Sequence, residues 1–390
     1  MITVDEALAH LFSLVSPLGT EEVPLQQASG RVMAACAVAR RDQPPFAASA
    51  MDGYAVAADA AHPGARFTVI GEAAAGHAFG GQVGAGQAVR IFTGAPVPAG
   101  TDHVVIQEDV IRAGDTITLG ETLDDKSHVR PAGGDFRVGD RIDAPRVLGP
   151  ADIALLASMN IPTVTVRRKP RVALISTGDE LVMPGDTPAP DQIIASNTFG
   201  LKAMLDGIGA EARILPIARD TRASLIAAFD LARGADLVIT IGGASVGDHD
   251  LVGVVAAELG MERAFYKVRM RPGKPLMAGR MGDAAMIGLP GNPVSAMVCG
   301  KVFVAPVIRA MLGLGEHRAP RLTARLAHDL PAGGPREHYM RARLDDGAIA
   351  PDNRQDSSLL SVLAGANALM IRPADDGPRK AQDMIDYLPL

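Results

Sequence analysis

The stretch between residues 170 and 312 constrains the fold most, because apolar runs typical of buried strands alternate there with helical patterns. The apolar runs lie at 172–176, 213–217 and 236–241, and the helical patterns at 197–207, 221–233 and 250–259. Strands that alternate with helices form a largely parallel sheet with helices on its faces. Ligands of such sheets bind at the carboxyl ends of the strands. The sequence therefore predicts an α/β domain with a ligand site at that edge of the sheet.

The flanking regions have different patterns, which predicts a multidomain protein of mixed α/β and β class. At roughly 100–200 residues per domain, the 390 residues correspond to two to four domains. A capping box of Thr3 and Glu6 starts an amphipathic helix, and short β-type runs between Gly-rich turns follow after residue 55. The predicted division is a helical linking domain (1–44 plus 142–169), an inserted β-rich domain or β module (45–141), the α/β domain (170–317) and a small carboxyl-terminal β domain (318–390).

Composition excludes several classes of protein. A net charge of −6 argues against a nucleic-acid coat protein or a polybasic membrane binder, and 47% apolar residues exclude a disordered chain. Cys36 and Cys299 are too few for a disulfide framework or a four-cysteine zinc site, and both are predicted to be inert core thiols. The amino terminus is acidic where a signal peptide would be basic, and charged residues interrupt the apolar stretch 294–314. We therefore expect a cytoplasmic protein with no nucleic-acid or membrane partner.

The strongest local signal is the segment GGASVGDHD at 242–250, directly after the third apolar run of the α/β domain. Its glycines allow backbone amides to approach an anion, and its aspartates would require a bridging Mg²⁺ if that anion were a phosphate. A Gly-rich turn with solvated aspartates is the structural alternative, and no Gly-Lys-Ser/Thr follows to make a Walker loop. The candidate ligand-binding residues here are Gly242, Gly243, Ser245, Gly247, Asp248 and Asp250.

Other polar turns follow neighbouring strands of the same predicted sheet. Glu180 comes after the first strand, and Asp220 comes before the helix at 221, where the sequence alone favours the N-cap of that helix, a role that can coexist with ligand binding. The segment LPGNPVSA places Pro290, Asn292 and Pro293 at a helix start, with Asn292 as N-cap. A rigid turn explains these three residues on spacing alone, although such a helix start can also face a ligand.

A basic cluster surrounds the Pro-Gly turn that follows residue 270. It contains Lys267, Arg269, Arg271 and Lys274. One cation about 4 Å from an anion contributes roughly 4 kcal/mol at an effective dielectric near 20, whereas distant charges are screened beyond about 8 Å. Local geometry therefore outweighs the negative net charge for an anionic substrate. A solvated basic turn is the alternative of similar weight.

Six motifs in this order resemble the molybdopterin molybdenumtransferase family, which includes bacterial MoeA proteins and the gephyrin E domain. The motifs are SAMDGYAV (49–56), IFTGAPVPAGTDHVVIQED (91–109), VALISTGDEL (172–181), GGASVGDHD (242–250), RPGKP (271–275) and LPGNPVSA (289–296). The resemblance covers the whole chain. It implies a homodimer of four-domain subunits that inserts molybdate into adenylylated molybdopterin, releases AMP and depends on Mg²⁺. It further implies that the partner subunit's β module completes each site.

The same resemblance implies roles for individual residues. Asp52, Thr93, Glu180, Asp220, Asp250, Lys267 and Arg271 match catalytic positions, and Glu180, Asp220 and Asp250 match the magnesium ligands. Molybdate or pterin binding is implied for Asp135, Lys274, Pro275, Arg341 and Ser357, with Ser358 nearly as good a match as Ser357. Arg271 stands where several relatives have Lys, which keeps the charge but changes its geometry.

Two other functions remain open at this point. One is Mg-ATP-dependent adenylylation of molybdopterin, the preceding step, for which the α/β domain alone would suffice. The other is a pterin-binding scaffold without turnover. The β module and the carboxyl-terminal domain argue against the first, and the acidic set argues against the second. A molybdopterin adenylyltransferase is a possible partner.

Overall fold

The computed structural model describes residues 1–243 and 251–390, and it confirms the predicted mixed α/β and β architecture. The α/β domain contains a six-stranded sheet in which the first four strands run parallel and each of the last two is antiparallel to its neighbour. In spatial order the strands are Glu211–Ile214, Arg171–Ser176, Leu237–Ile241, Ala284–Leu289, Pro275–Met281 and Glu262–Lys267. A short parallel pair, Leu181–Val182 with Ile193–Ile194, lies beside this sheet.

Helices cover both faces of the sheet, as the alternation in the sequence predicted. Successive residues of the first strand face opposite cores, so Leu174 contributes to one apolar cluster and Ile175 to the other. The helices of the domain are Asn197–Gly207, Arg222–Leu231, Leu251–Glu258 and Pro293–Cys299, the last of which continues through a π-helical turn (Gly300–Val304) into Ala305–Met311. Among the described residues, 293–311 is the one helix apolar and long enough to cross a membrane, but 83% of its most apolar window is buried inside the protein. It is the central core helix of this domain.

The amino-terminal helix, Val4–Ser13, begins at the predicted capping box, with both hydrogen bonds between Thr3 and Glu6 present. Its apolar face, which includes Leu8 and Leu11, packs into the core of the α/β domain. The helix is therefore connected by packing to the α/β domain rather than to the segments that follow it.

The linking domain contains a sheet that the sequence analysis missed. Its four antiparallel strands, in spatial order, are Thr20–Pro24, Thr163–Arg167, Val32–Met33 and Arg146–Val147. One 3₁₀ turn, Leu25–Gln27, and one helix, Pro150–Ser158, accompany it. The description of this region as helical was therefore wrong in this respect, because two of its strands have only two residues and show no periodic pattern. Cys36 is exposed here, so its prediction as a core thiol was also wrong, whereas Cys299 is buried as predicted.

The β module is built on a second six-stranded sheet. Its strands, in spatial order, are His103–Ile106, Gly53–Val56, Gln87–Ile91, Arg66–Ala73, Thr116–Leu119 and Val110–Ala113. Two short antiparallel pairs, Ala37–Val38 with Arg141–Ile142 and Ala48–Ser49 with Val129–Arg130, join the chain that enters the module to the chain that leaves it. The 3₁₀ turns are Ala58–Ala60 and Gln107–Asp109. Because these pairings join the start and the end of the module, the module is an insertion. The residue limits of the four domains stay a prediction.

The carboxyl-terminal domain is a closed sheet, because its strand Glu337–Asp345 pairs with strands on both sides of the ring. Around the ring the strands are Glu337–Asp345, Ala348–Pro351, Leu322–Leu326, Met384–Pro389 and Ala368–Arg372, with one helix, Leu360–Gly365. A further strand, Met270–Arg271, comes from the α/β domain and pairs with the first of these. The basic turn that follows residue 270 is thereby attached to both domains.

Candidate active site

Three turns meet at the carboxyl edge of the parallel sheet. Thr177 N donates to Ile241 O at 3.0 Å, and Gly242 N donates to Leu289 O at 3.1 Å. A Cβ placed on Gly291 would lie 3.4 Å from the Cα of Gly242. The residues that follow three successive parallel strands are therefore in contact, as the α/β pattern predicted.

The glycines of the central turn are required by this close approach. Gly242 and Gly243 have φ of +96° and +64°, and a Cβ on Gly242 would lie 2.6 Å from Thr177 O. In the described part of the chain these glycines approach protein atoms. The rest of the predicted loop, which includes Ser245, Gly247, Asp248 and Asp250, lies outside the described residues.

Two of the predicted carboxylates belong to turns that are tied together. Asp220 N donates to Asp179 Oδ1 at 3.1 Å, and Arg219 Nη1 donates to Asp179 O at 2.9 Å. Glu180 folds back over Gly178, where φ is +144° and a Cβ would overlap its carboxylate. Glu180 and Asp220 are thus brought to neighbouring positions at the sheet edge.

The prediction that Asp220 caps the following helix was wrong. The N-cap is Thr221, whose hydroxyl accepts a hydrogen bond from Ser224 N at 3.3 Å. Asp220 is exposed, and within 1–243 and 251–390 neither its carboxylate nor that of Glu180 takes part in a hydrogen bond or ion pair. Both carboxylates are free to bind a ligand.

The described residues contain no group of three or more His, Cys, Asp or Glu side chains arranged to hold a metal ion. Of the three predicted magnesium ligands, Glu180 and Asp220 are described and Asp250 is not. Mg²⁺ commonly binds one or two protein carboxylates and completes its shell with water and substrate phosphate oxygens. The two hard, unpaired carboxylates therefore fit Mg²⁺ when a phosphate is present.

Arg341 provides the most informative group on the basic side of the site. It lies in the strand Glu337–Asp345 and is fully buried, and its Nη2 donates to Arg354 O at 3.0 Å and Asp356 O at 2.8 Å. Its Nε and Nη1 are buried and have no hydrogen-bond partner in the described chain. Burial lowers the pKa of Arg341, an effect that Asp352 and Asp356 oppose. A buried cation with two unsatisfied donors is costly, so an anionic acceptor is expected here.

The loop that holds Arg341 also contacts the start of the core helix. Asn292 occupies the predicted N-cap position but makes no capping hydrogen bond through its side chain. Its Nδ2 instead donates to Ser357 Oγ at 3.0 Å, and Val294 N donates to Ser357 O, also at 3.0 Å. Ser358 Oγ donates to Asp356 Oδ1 at 2.6 Å within its own loop. Ser357, rather than Ser358, therefore joins the two domains at the sheet edge.

The basic turn lies beside this junction. Arg271 pairs in register with His338 of the carboxyl-terminal domain, and its charge lowers the pKa of Arg341. Gly273, at φ +103°, packs directly against Cys299 Sγ on the core helix. Lys274 is exposed and Pro275 starts the next strand.

The two other cations of the predicted cluster are engaged differently. The Lys267 ammonium lies 5.3 Å from the ring centre of Tyr266. Arg269 pairs with Asp375 at 2.5 Å and donates through Nε to Pro335 O. Arg269 is thus an interdomain link rather than a free cation.

His338 is a site residue that the sequence analysis missed. Its Cα is in register with both Arg271 and Arg372 on the neighbouring strands. Burial, followed by the charges of nearby arginines, lowers the pKa of His338 to about 4, so the imidazole is neutral at neutral pH. Only the strand register brings these groups together, and no motif in the sequence could have indicated it.

The predicted residues of the β module form a separate group. Asp52 Oδ1 accepts hydrogen bonds from Thr93 N and Thr93 Oγ1, both at 2.8 Å, and these bonds hold the pKa of Asp52 below its usual value. Asp135 is exposed, and its N–H donates to Gln43 O at 2.9 Å. The Asp52–Thr93 hydrogen bonds lie within the module, whereas the bond of Asp135 ties the module to Gln43 in the linking domain.

The acidic and basic groups of the α/β domain border one edge. Glu180 follows the strand Arg171–Ser176, and Asn292 follows the strand Ala284–Leu289, with a single strand between them. Adjacent strands lie about 4.8 Å apart, so these two strand ends are about 10 Å apart. Lys274 precedes the strand Pro275–Met281, which runs antiparallel to Ala284–Leu289 and therefore starts at this same edge, so the edge offers both a cation and carboxylates.

Comparisons with known proteins agree with this arrangement. Three family models match in order: the MoeA N-terminal region (domain I and II) at 2–160, the Probable molybdopterin binding domain at 173–310, and the MoeA C-terminal region (domain IV) at 323–390. A molybdopterin molybdenumtransferase of Haemophilus influenzae is 37% identical over 324 residues, covering 82% of this chain and 80% of that protein. One from Nostoc sp. is 36% identical over 394 residues, covering 96% and 90%. A molybdopterin biosynthesis MoeA protein from Pyrococcus horikoshii OT3 aligns over 100% of both chains with a TM-score of 0.86 and 25% identity.

Proposed function

The chain belongs to the molybdopterin molybdenumtransferase family, and we propose that its substrates are molybdate and adenylylated molybdopterin, with AMP as the released product. The enzyme is a transferase of molybdenum cofactor biosynthesis that inserts molybdenum into molybdopterin. The proposal concerns the form of the two substrates and the residues that bind them. The single observation that carries it is the buried Arg341 guanidinium with two unpaired donors.

Molybdate, a tetrahedral dianion, matches the donors at the domain junction. Charge-assisted hydrogen bonds from Arg341 Nε and Nη1 would satisfy a buried cation that otherwise has unpaired donors. Arg271 and Lys274 add positive charge at the exposed rim, and Ser357 adds a hydroxyl. Pro275 keeps the turn rigid next to Lys274. These groups hold the oxyanion before it reacts.

The adenylylated pterin is assigned to the glycine turns of the sheet edge. Gly242 and Gly243 have no side chains and so leave the backbone of this edge accessible. The start of the core helix lies beside them and contains Pro290, Asn292 and Pro293. Bound at this edge, the pterin would lie beside Asn292, whose side chain donates to Ser357 of the molybdate-binding group. Holding both substrates in one place makes the insertion effectively intramolecular, which can lower the barrier by about 7–11 kcal/mol.

Mg²⁺ is assigned to Glu180 and Asp220, with Asp250 as the third proposed ligand. When bound, the ion would offset the charge on the phosphate oxygens as the phosphoanhydride is cleaved. The free carboxylates of Glu180 and Asp220 support this assignment. Lys267, whose ammonium lies against the Tyr266 ring, is proposed to act on the same substrate.

We further propose a homodimer in which the β module of one subunit completes the site of the other. Asp52 and Thr93 bond to each other within the module, and Asp135 bonds to Gln43 of the linking domain, so these hydrogen bonds do not tie any of the three residues to the α/β domain, which supports their acting on a different chain. Mixing Asp52→Asn with Glu180→Gln subunits tests this. In a shared site half of the dimers regain one intact site, giving about one quarter of wild-type activity. No recovery after subunit exchange would place all these residues in one subunit's site.

A cytoplasmic location and a molybdopterin adenylyltransferase partner complete the proposal. Burial of the helix 293–311 supports a protein that works in solution. The partner is inferred from chemistry, since an adenylylated pterin must be produced by an adenylyl transfer.

The decisive experiment measures AMP release from adenylylated molybdopterin with Mg²⁺, with and without molybdate. Molybdate-dependent AMP release is the expected result. ATP consumption would indicate the adenylyltransferase reaction, and tight binding without turnover would indicate a scaffold.

Arg341→Met tests the observation that carries the proposal, and Arg343→Met is its matched control. Arg343 lies on the same strand, but its side chain is 66% exposed and pairs with Asp345 at 3.0 Å. The first variant should need at least tenfold more molybdate, because hydrogen bonds to a charged group are lost. Equal molybdate dependence of the two folded variants would remove Arg341 from the site.

A further inference from the structure

Arg90 makes two hydrogen bonds that converge on the segment carrying Asp52. Its Nη1 donates to Gly53 O at 2.9 Å, and its Nη2 donates to Gln107 Oε1 at 2.6 Å. Gly53 follows Asp52 directly, and Gln107 N donates to Asp52 O at 3.1 Å. Both Nη groups therefore bind residues that are linked to Asp52, Gly53 through the chain and Gln107 through a backbone hydrogen bond.

Two aromatic rings complete the surroundings of Arg90. Its guanidinium carbon lies 5.1 Å from the ring centre of Tyr54 and 4.6 Å from that of Phe92. Phe92 directly precedes Thr93, so the second ring belongs to the segment that carries the partner of Asp52. Arg90 thus joins the two backbone segments whose side chains meet in the Asp52–Thr93 pair.

The pair itself leaves one carboxylate oxygen available. Thr93 donates twice to Asp52 Oδ1, and no described residue donates to Oδ2. After the Thr93 hydrogen bonds, the positive charge of Arg90 also lowers the pKa of Asp52. The carboxylate is therefore ionised and oriented, with Oδ2 free to meet a ligand.

We propose that Arg90 is a positioning residue that fixes the Asp52 carboxylate and the Thr93 hydroxyl in one arrangement toward the substrate. The inference rests on the proposed function, because it takes the Asp52–Thr93 pair as part of the site. It adds a residue that acts only through that pair. Arg90 contacts the segment of Asp52 through Gly53 and the segment of Thr93 through Phe92. Within the described chain it forms no ion pair that would explain its position.

The test compares three variants by molybdate-dependent AMP release. Arg90→Met keeps the length of the side chain but removes both hydrogen bonds and the charge, and Arg90→Lys restores the charge without the two-pronged contact. Arg112→Met is the matched control, because Arg112 lies on an edge strand of the same sheet and donates once to a backbone carbonyl, Gly114 O, at 2.9 Å. Arg90→Met should lower kcat about tenfold to a hundredfold, since small displacements of reacting groups have effects of that size. Arg90→Lys should recover part of the loss, and Arg112→Met should match wild type.

A double-mutant cycle separates positioning from sheet stability. With Asp52→Asn already present, Arg90→Met should have little further effect on kcat, because residues that act as a unit are not additive. Additive losses, or equal losses in Arg90→Met and Arg112→Met, would overturn the proposal.

A second readout does not depend on turnover. The pKa of Asp52, followed by carboxyl-carbon NMR in the whole protein, should rise in Arg90→Met and stay unchanged in Arg112→Met. If wild type lacks molybdate-dependent AMP release, the proposed function fails, and this pKa comparison still decides whether Arg90 holds the pair. An unchanged pKa of Asp52 in Arg90→Met would overturn the inference.

Discussion

Substituting Gly273 by alanine should displace the basic turn that carries Arg271 and Lys274. Gly273 has a φ of +103°, which a residue with a Cβ adopts at a cost of about 1–2 kcal/mol. The new methyl group would also overlap Cys299 Sγ, and overpacking of this kind typically costs about 1–3 kcal/mol. The native turn is thus destabilised by about 2–5 kcal/mol in total, which favours movement of the turn away from the helix.

The assay is equilibrium dialysis of molybdate together with thermal unfolding. We expect Gly273→Ala to weaken molybdate binding about tenfold, because both neighbouring cations move relative to Arg341. Gly282→Ala is the matched control, since Gly282 has a φ of +59° and open space around its missing Cβ. The thermal unfolding of this variant reports the cost of a Cβ at a positive φ without any steric overlap.

The double variant Gly273→Ala/Cys299→Ala isolates the overlap. Removing Sγ should restore part of the molybdate affinity, because the overlap with the new methyl group is then relieved while the strained φ remains. If Gly273→Ala and Gly282→Ala bind molybdate equally well, or if Cys299→Ala gives no recovery, the reasoning about this contact is refuted.

Three further predictions concern stability and the junction. Asp236 is mostly buried, which raises its pKa, but hydrogen bonds from the Arg168 guanidinium and Arg171 N, together with the charges of both arginines, outweigh this and hold the pKa below its usual value. Asp236→Asn should therefore cost about 1.5–3 kcal/mol at neutral pH, and in denaturant titrations this difference from wild type should shrink as pH falls below about 4. Burial lowers the pKa of His338 from 6.5 to about 4, so protonation destabilises the folded state as pH falls from 6.5 toward 4. The free energy of unfolding of wild type should therefore fall by up to about 3 kcal/mol more than that of His338→Gln between pH 7 and pH 4, and equal acid sensitivity would contradict the burial of the neutral ring. Ser357→Ala should weaken molybdate binding in dialysis by about threefold to tenfold, whereas Ser358→Ala should not, because only Ser357 reaches Asn292.

The sheet edge could be predicted from the sequence because its signals are local. The alternation of apolar runs and helical patterns predicted three of the six strands of the central sheet, and it missed Glu262–Lys267, Pro275–Met281 and Ala284–Leu289. Gly242 was predicted to let the backbone approach an anion; the structure shows its close approach to Thr177 O, and the anion stays a prediction. Asp220 shows the limit of such reasoning. Asp and Thr are both good N-caps, and the sequence Asp220-Thr221 does not reveal which of the two the backbone places at the cap.

Contacts between distant segments could not be predicted, because they depend on strand register. His338 meets Arg271 only because a strand of the α/β domain joins the carboxyl-terminal sheet. Arg90 meets Tyr54 through pairing within the β module. Asn292 illustrates the same point, since its side chain leaves the cap for Ser357, 65 positions further along the chain.

The unpaired donors of Arg341 link the stability of the domain junction to its function. A buried guanidinium whose Nε and Nη1 have no acceptor lowers stability, and the positive charge of Arg271 adds repulsion. The nearby carboxylates of Asp352 and Asp356 favour the charged form of Arg341, but neither accepts a hydrogen bond from Nε or Nη1. An oxyanion that accepts from the free Nε and Nη1 removes both penalties at once, so part of its binding energy comes from relieving a defect of the unliganded junction. The donors are then already in place before the substrate arrives, and little reorganisation is needed when it binds.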